Sequence, residues 1–130
     1  MFQESSVIDT DIIVDLLRDF PKARDFFKDV ENGKNSLLFS TITEVELFSG
    51  KSCSSLEEQS IIDSLLSLMS RKDVNKHIAR KAGELRRKYD MPIGDSIIAA
   101  TAIVSGSRKV ITKNIRHYKA VKEIRVTQPY

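Results

Sequence analysis

The stretch "SSVIDTDIIVDLL", Ser5 to Leu17, decides how this chain is read. Val7 and Ile8 close a short apolar run of the kind that forms a buried strand, and Asp9 stands directly after it. Beyond Thr10 and Asp11, the apolar residues Ile12, Ile13, Leu16, Leu17 and Phe20 recur at helical spacing as far as Pro21. A strand therefore gives way to a helix across two carboxylates. Working outward, a second helix runs to about Glu31, burying Phe26, Phe27 and Val30, and "NGK" turns the chain. "SLLFSTIT", Ser36 to Thr43, mixes β-branched and apolar residues as a second strand does, and "EVELFSG" is a short helical segment ending at Gly50.

Ser54, with Glu57 three residues later, matches a capping box for a helix whose apolar stripe is Leu56, Ile61, Ile62, Leu65, Leu66 and Met69. Asp73 is positioned to cap another, with Val74, Ile78, Ala82, Leu85 and Tyr89 on its inner face. "DMPIGDSIIAATAIVSG" holds a loop and then a helix from near Asp95 to Gly106. "KVIT" reads as a third strand, "NIRHYKAV" as a loop or helical turn, and "EIRV" as a last short strand. Strands separated by helices predict an α/β fold with a parallel sheet flanked by helices on both faces. Residues 1–130 carry no repeat or linker and read as a single domain, long enough to bury about two thirds of the unfolded chain's surface.

Composition excludes several classes. With 41% hydrophobic and 30% charged residues, the chain has neither the polarity of a disordered protein nor the apolar content of a membrane protein. Its longest apolar-rich run, "IIAATAIV", is far short of the roughly 20 residues a spanning helix needs, and a cytoplasmic location is expected. Cys53 is the only cysteine, which rules out an internal disulfide and a thiolate metal cage within one chain. The net charge of +3 is uneven. Residues 1–31 hold eight acids against four bases and the remainder ten against seventeen, so the two parts carry −4 and +7. From Arg108 to Arg125, seven bases face one acid, Glu123, a distribution able to attract phosphates.

In a parallel sheet ligands collect at the carboxyl ends of the strands. Asp9 ends the first strand, Thr112 and Asn114 end the third, Glu46 lies in the helix after the second, and Asp95 opens an apolar helix. Asp9, Glu46 and Asp95 can therefore share one edge. Carboxylates crowded together raise each other's pKa unless a cation neutralises them, and hard oxygen ligands suit Mg²⁺ or Mn²⁺. Such an ion activates water and stabilises charge building on a phosphodiester. Each residue also has a plainer role open to it. Asp9 and Asp95 can be helix caps or partners of a helix dipole, Thr112 and Asn114 turn residues, and Glu46 a surface acid. Glu44 lies about 200° round the helix from Glu46, so the two do not both point inward.

Taken together, "VIDTDIIVDLL", "STITEVELFSG", "PIGDSIIAATA" and "VITKNIRHY", in this order from about Ser6 to Tyr118, resemble the PIN-domain ribonucleases, and at this length the VapC-type toxins of toxin–antitoxin pairs. The resemblance implies a PIN-like three-layer fold and a Mg²⁺- or Mn²⁺-dependent endoribonuclease, with the family's acids falling on Asp9, Glu46 and Asp95 as metal ligands. It implies products with 5′-phosphate and 3′-hydroxyl ends, a homodimer, and silencing by a VapB-type antitoxin. Asn114 joins the catalytic set, with Thr10, Asp11 and Thr112 in support. Lys113, Arg116 and Lys119 are the expected RNA contacts, and the helix pair bearing Phe20, Phe26 and Phe27 the expected association surface. Two departures stand out. Asp11 replaces a usual Asn, and "TKN", Thr112 to Asn114, lacks the acid that many relatives carry there. His117 reads as a surface or packing residue, since imidazole is a poor Mg²⁺ ligand.

Two rival readings remain open on the sequence. "DTDII" and "GDS" also fit fragments of the haloacid-dehalogenase-like phosphatases, in which Asp9 is the nucleophile and Asp11 the acid, although no second acid follows "GDS". A non-catalytic RNA-binding module using the basic carboxyl-terminal region is the other.

Overall fold

The computed structural model describes residues 5–50 and 53–130; Glu4, counted above among the acids, lies outside them. The elements run β1 (Ser5–Ile8), α1 (Thr10–Leu17), α2 (Pro21–Glu31), β2 (Ser36–Ser40), α3 (Thr41–Phe48), α4 (Leu56–Leu66), β3 (Ser70–Lys72), α5 (Lys76–Tyr89), α6 (Ile93–Val104), β4 (Lys109–Ile111), α7 (Ile115–Tyr118) and β5 (Arg125–Thr127). The five strands form one parallel sheet in the order β3-β2-β1-β4-β5.

Alternation along the strands divides the core between two faces, because successive side chains of a strand point to opposite sides. Val7, Leu38 and Val110 face α5 and α6, where they meet Ile78, Leu85 and Ile98. Ile8, Leu37, Phe39 and Ile111 face the other way, onto Ile12, Phe27, Ile62 and Leu66 from α1, α2 and α4. The result is three layers, with the sheet in the middle as the α/β reading predicts. Each fully buried Ile or Leu contributes about 1.5–3 kcal/mol. Helix α6 lies closest to the sheet centre, its Ala99, Ala100 and Ala102 wholly buried. Among the described residues no helix is long and apolar enough to cross a membrane.

Several local expectations are corrected. The second strand stops at Ser40, whose hydroxyl accepts from the Ile42 N–H at 3.1 Å, so Thr41 to Thr43 begin α3 and do not extend the strand. The capping box is Ser55 with Glu58, one residue later than expected. Asn75, not Asp73, caps α5 through its side-chain oxygen, 2.9 Å from the Ile78 N–H. Leu56 and Ile61 of α4 are exposed, at 84% and 54%, and Phe27 is a core residue unable to serve an association surface. Strand β3 was absent from the sequence reading because Ser70, Arg71 and Lys72 are all exposed and none is apolar. It pairs only at the sheet edge, where Arg71 grips Glu44 through two nitrogens, at 2.6 and 3.2 Å.

Candidate active site

Register fixes the floor of the site. Val7 pairs with Leu38 and Ile8 with Ile111, so one step further along the sheet Asp9, Ser40 and Thr112 come level at its carboxyl-terminal edge. Strand order reverses between β1 and β4, the crevice where open α/β sheets bind ligands. Asp9 caps α1, its Oδ1 accepting from the Thr10 N–H at 2.7 Å. The carboxylate is nonetheless 5% exposed, and its Oδ2 accepts from the Thr112 hydroxyl at 2.8 Å and the Tyr118 phenol at 3.0 Å.

Asp95 reaches the same place from the opposite side. Helix α6 starts at Ile93 after Pro92, which sets Asp95 in its first turn and not at the cap. Asp95 Oδ1 lies 3.2 Å from the Tyr118 hydroxyl and Oδ2 2.7 Å from His117 Nδ1. One phenol oxygen is therefore within hydrogen-bonding reach of both acids. Its single proton cannot satisfy two carboxylates at once. Burial, and then the charges of Asp9 and Asp95, push the Tyr118 pKa upward, so the phenol remains a donor.

Glu46 stands at the mouth, exposed, one helical turn beyond the buried Thr43. Its Oε1 accepts from the Thr10 hydroxyl at 2.8 Å, which is also 3.0 Å from the Thr43 hydroxyl. Oε2 lies against Gly94: a Cβ there would come within 3.3 Å of it. The glycine before Asp95 thus makes room for the acid of a different helix. Glu44 turns away to Arg71, in line with the helical geometry.

The electrostatics of this edge are unfavourable to the charged state. Burial, and then the neighbouring charge of Asp11, raise the Asp9 pKa to about 6, with Asp95 adding to the effect and the Thr112 and Tyr118 hydroxyls opposing it. Burial also raises Asp11. Asp11 Oδ2 accepts from the Lys113 N–H at 2.9 Å and is 3.3 Å from the Thr112 hydroxyl, whereas its Oδ1 is buried without a partner among the described residues.

Residues 6–123 match the family model described as PIN domain. The chain belongs to the PIN-domain family. It is 32% identical over 117 residues to Ribonuclease VapC19 of Mycobacterium tuberculosis (strain CDC 1551 / Oshkosh), covering 86% of this chain and 90% of that protein. Its structure is similar to a chain of a toxin–antitoxin complex from Klebsiella pneumoniae, with a TM-score of 0.78, 25% identity, and 96% and 98% of the two chains covered. It also shares its fold with a chain of DNA-bound VapBC from Salmonella typhimurium, with a TM-score of 0.76, 22% identity, and 98% and 100% covered. A PIN domain spanning residues 6–123 does not favour the haloacid-dehalogenase-like alternative.

Within this PIN domain the expected residues divide. Asp9, Asp95, Thr112, Thr10 and Glu46 form one connected network. Asn114 is exposed and contributes its backbone N–H, which donates to Thr112 Oγ1 at 2.9 Å. Lys113, Arg116 and Lys119 are all exposed, with Lys113 committed to an ion pair with Asp15. Sequence reasoning missed Tyr118 and undervalued His117. Both lie on α7, and only its packing against α6 reveals that they hold Asp95. Among the described residues no three of His, Cys, Asp or Glu are drawn into a ready-made cation cage; hydroxyl groups stand between the carboxylates. The donor set still fits a hard divalent ion. It is all oxygen, its Asp9 carboxylate is crowded by the charges of Asp11 and Asp95 that a cation would offset, and it includes the buried Oδ1 of Asp11, unpartnered among the described residues.

Proposed function

We propose that this PIN domain, acting as one domain over the whole chain, is a Mg²⁺- or Mn²⁺-dependent endoribonuclease and the toxin of a toxin–antitoxin pair. The observation that carries the reading is the Tyr118 hydroxyl shared by Asp9 and Asp95, which ties two helix starts to one point at the sheet edge. Asp9, Glu46 and Asp95 are the residues that hold the ion. When bound, it activates water and neutralises charge on the phosphodiester.

The protein's own part is positioning. Thr112 and Tyr118 fix the Asp9 carboxylate from one side and the Thr10 N–H from the other. Thr10 orients Glu46, and His117 orients Asp95. Asn114, exposed at the start of α7, supports the attacking water, and Arg116 and Lys119 attract the RNA phosphates. Cleavage leaves 5′-phosphate and 3′-hydroxyl ends, with no covalent enzyme intermediate. A VapB-type antitoxin is the protein partner, the working unit is a homodimer, and the location is cytoplasmic. The name of the VapC19 relative and the toxin–antitoxin complex containing the Klebsiella relative support this assignment.

The test is Mn²⁺-dependent cleavage of RNA by the purified chain, with the ends of the products identified. Asp9→Asn, Glu46→Gln and Asp95→Asn should each abolish cleavage while circular dichroism stays native. A fully active Asp9→Asn protein would sink the reading. RNA binding without cleavage in Mn²⁺ would leave the non-catalytic module in its place.

A further inference from the structure

The acids occupy the carboxyl-terminal edge of the sheet, and the opposite edge carries the reverse chemistry. Residues 106–109, entering β4, and residues 122–125, entering β5, enclose a cleft of about 490 Å³. Arg108, Lys122 and Arg125 stand exposed around it and make no ion pair among the described residues. Among the described residues the cleft's one acid, Glu123, is already held by Lys81 at 3.1 Å, which also reaches Glu84 at 3.3 Å.

Backbone hydrogen bonds hold the rim of this cleft in place. Arg108 has a left-handed backbone, φ 57°, which costs a residue with a Cβ roughly 1–2 kcal/mol. It is held there at both ends: its N–H donates to the Ala102 carbonyl at 2.8 Å, and its carbonyl accepts from the Arg125 N–H at 2.7 Å.

A path joins the two edges. Because β4 and β5 are parallel, the chain between them must return from one edge of the sheet to the other. On that return the exposed bases Lys113, Arg116, Lys119, Lys122 and Arg125 fall at every third residue. Arg108 to Thr112 is four residue steps, about 13 Å of extended chain, a span short enough for one strand of RNA.

We propose that the Arg108–Lys122–Arg125 cleft is a phosphate-binding site that grips single-stranded RNA at the edge opposite the acids, with the 113–125 segment as the track between them. The identity of the ligand rests on the ribonuclease reading. Charge without apolar anchorage favours a phosphate backbone over an acidic protein segment, since among the described residues Ile124 is the only apolar side chain lining the cleft and protein interfaces depend on buried apolar anchors.

The test is the salt dependence of binding in EDTA, where no cleavage occurs, using fluorescent single-stranded RNA of about twelve nucleotides and of about three. Each phosphate contact contributes about −0.7 to the slope of log affinity against log salt. Arg108→Gln/Lys122→Gln/Arg125→Gln should make the slope for the long RNA shallower by about 2. Raising salt from about 50 to 200 mM then weakens the variant about twentyfold less than the parent. The short RNA can enter the cleft by itself, so its slope should become shallower as well. Lys122→Gln alone, in a turn outside the strands, should shift the slope by about 0.7 and guards against misfolding of the triple variant. An unchanged slope on the long RNA overturns the proposal, as does loss of binding confined to a poly-glutamate peptide. Failure of the parent to cleave in Mn²⁺ would sink the ribonuclease reading and leave the slope comparison standing.

Discussion

Replacing Asp9 by Asn should abolish function and stabilise the metal-free protein. The Asp9 pKa is raised from the ordinary 3.8 to about 6 by burial and by the charge of Asp11. A raised folded-state value means that the group's favourable contribution is complete below about pH 3.8 and is lost as pH rises through about 6. At about 1.4 kcal/mol for each pH unit, forcing Asp9 to stay charged in the fold costs about 3 kcal/mol at neutral pH. Asn is close to the same shape, and its amide oxygen keeps the hydrogen bond from either the Thr10 N–H or the Thr112 hydroxyl. The variant should therefore gain about 2–3 kcal/mol at pH 7.5 in EDTA and almost nothing at pH 4. Denaturant unfolding of both proteins at several pH values reads this directly. Asp11 titrates in both, so the difference between them is the quantity to follow. Saturating Mn²⁺ should reverse the order, stabilising the parent and leaving the variant unmoved. A variant less stable than the parent at pH 7.5 without metal, or a gap that does not close on acidification, would refute the reasoning.

Tyr118→Phe keeps the buried ring but removes the donor that Asp9 and Asp95 share; it should cost about 1–2 kcal/mol at neutral pH and raise the Mn²⁺ concentration needed for half-maximal thermal stabilisation. Gly94→Ala places a Cβ 3.3 Å from Glu46 Oε2, and a flexible carboxylate moves aside at little energetic cost, so unfolding free energy should change by less than about 1 kcal/mol while cleavage falls roughly tenfold or more. Ser40→Ala removes the α3 cap and should cost about 1 kcal/mol in denaturant unfolding, with greater hydrogen exchange at Ile42.

The readable parts of this protein were those in which side chain and backbone answer to the same local rule. Asp9 follows an apolar strand and Glu46 a helical spacing, so both could be assigned to one edge from order alone. Asp95 was found through its helix start, although it proved to lie in the first turn and to be held by α7. Where a residue's role is set by a partner distant in sequence, no local signal exists. Tyr118 sits 109 residues from Asp9 and looks like any core tyrosine. Strand β3 was lost for a related reason: its pairing energy comes from backbone hydrogen bonds to β2, while Ser70, Arg71 and Lys72 carry none of the apolar pattern that betrays a strand.

The same logic explains why the site is expensive to fold. Elsewhere several carboxylates pair with a cation: Glu44 with Arg71, Asp15 with Lys113, Glu123 with Lys81. Asp9, Asp95 and Glu46 meet hydroxyls, and in Asp95's case also a histidine, but no lysine or arginine among the described residues. Hydroxyls orient a carboxylate without cancelling its charge, so the negative field at this edge remains available. A lysine directed at Asp9 would stabilise the fold and at the same time remove the attraction for a divalent ion. The neutral donors around Asp9 are therefore what distinguishes a site kept ready for a cation from an ordinary buried ion pair, and the stability that Asp9→Asn recovers measures how much the fold gives up to keep it so.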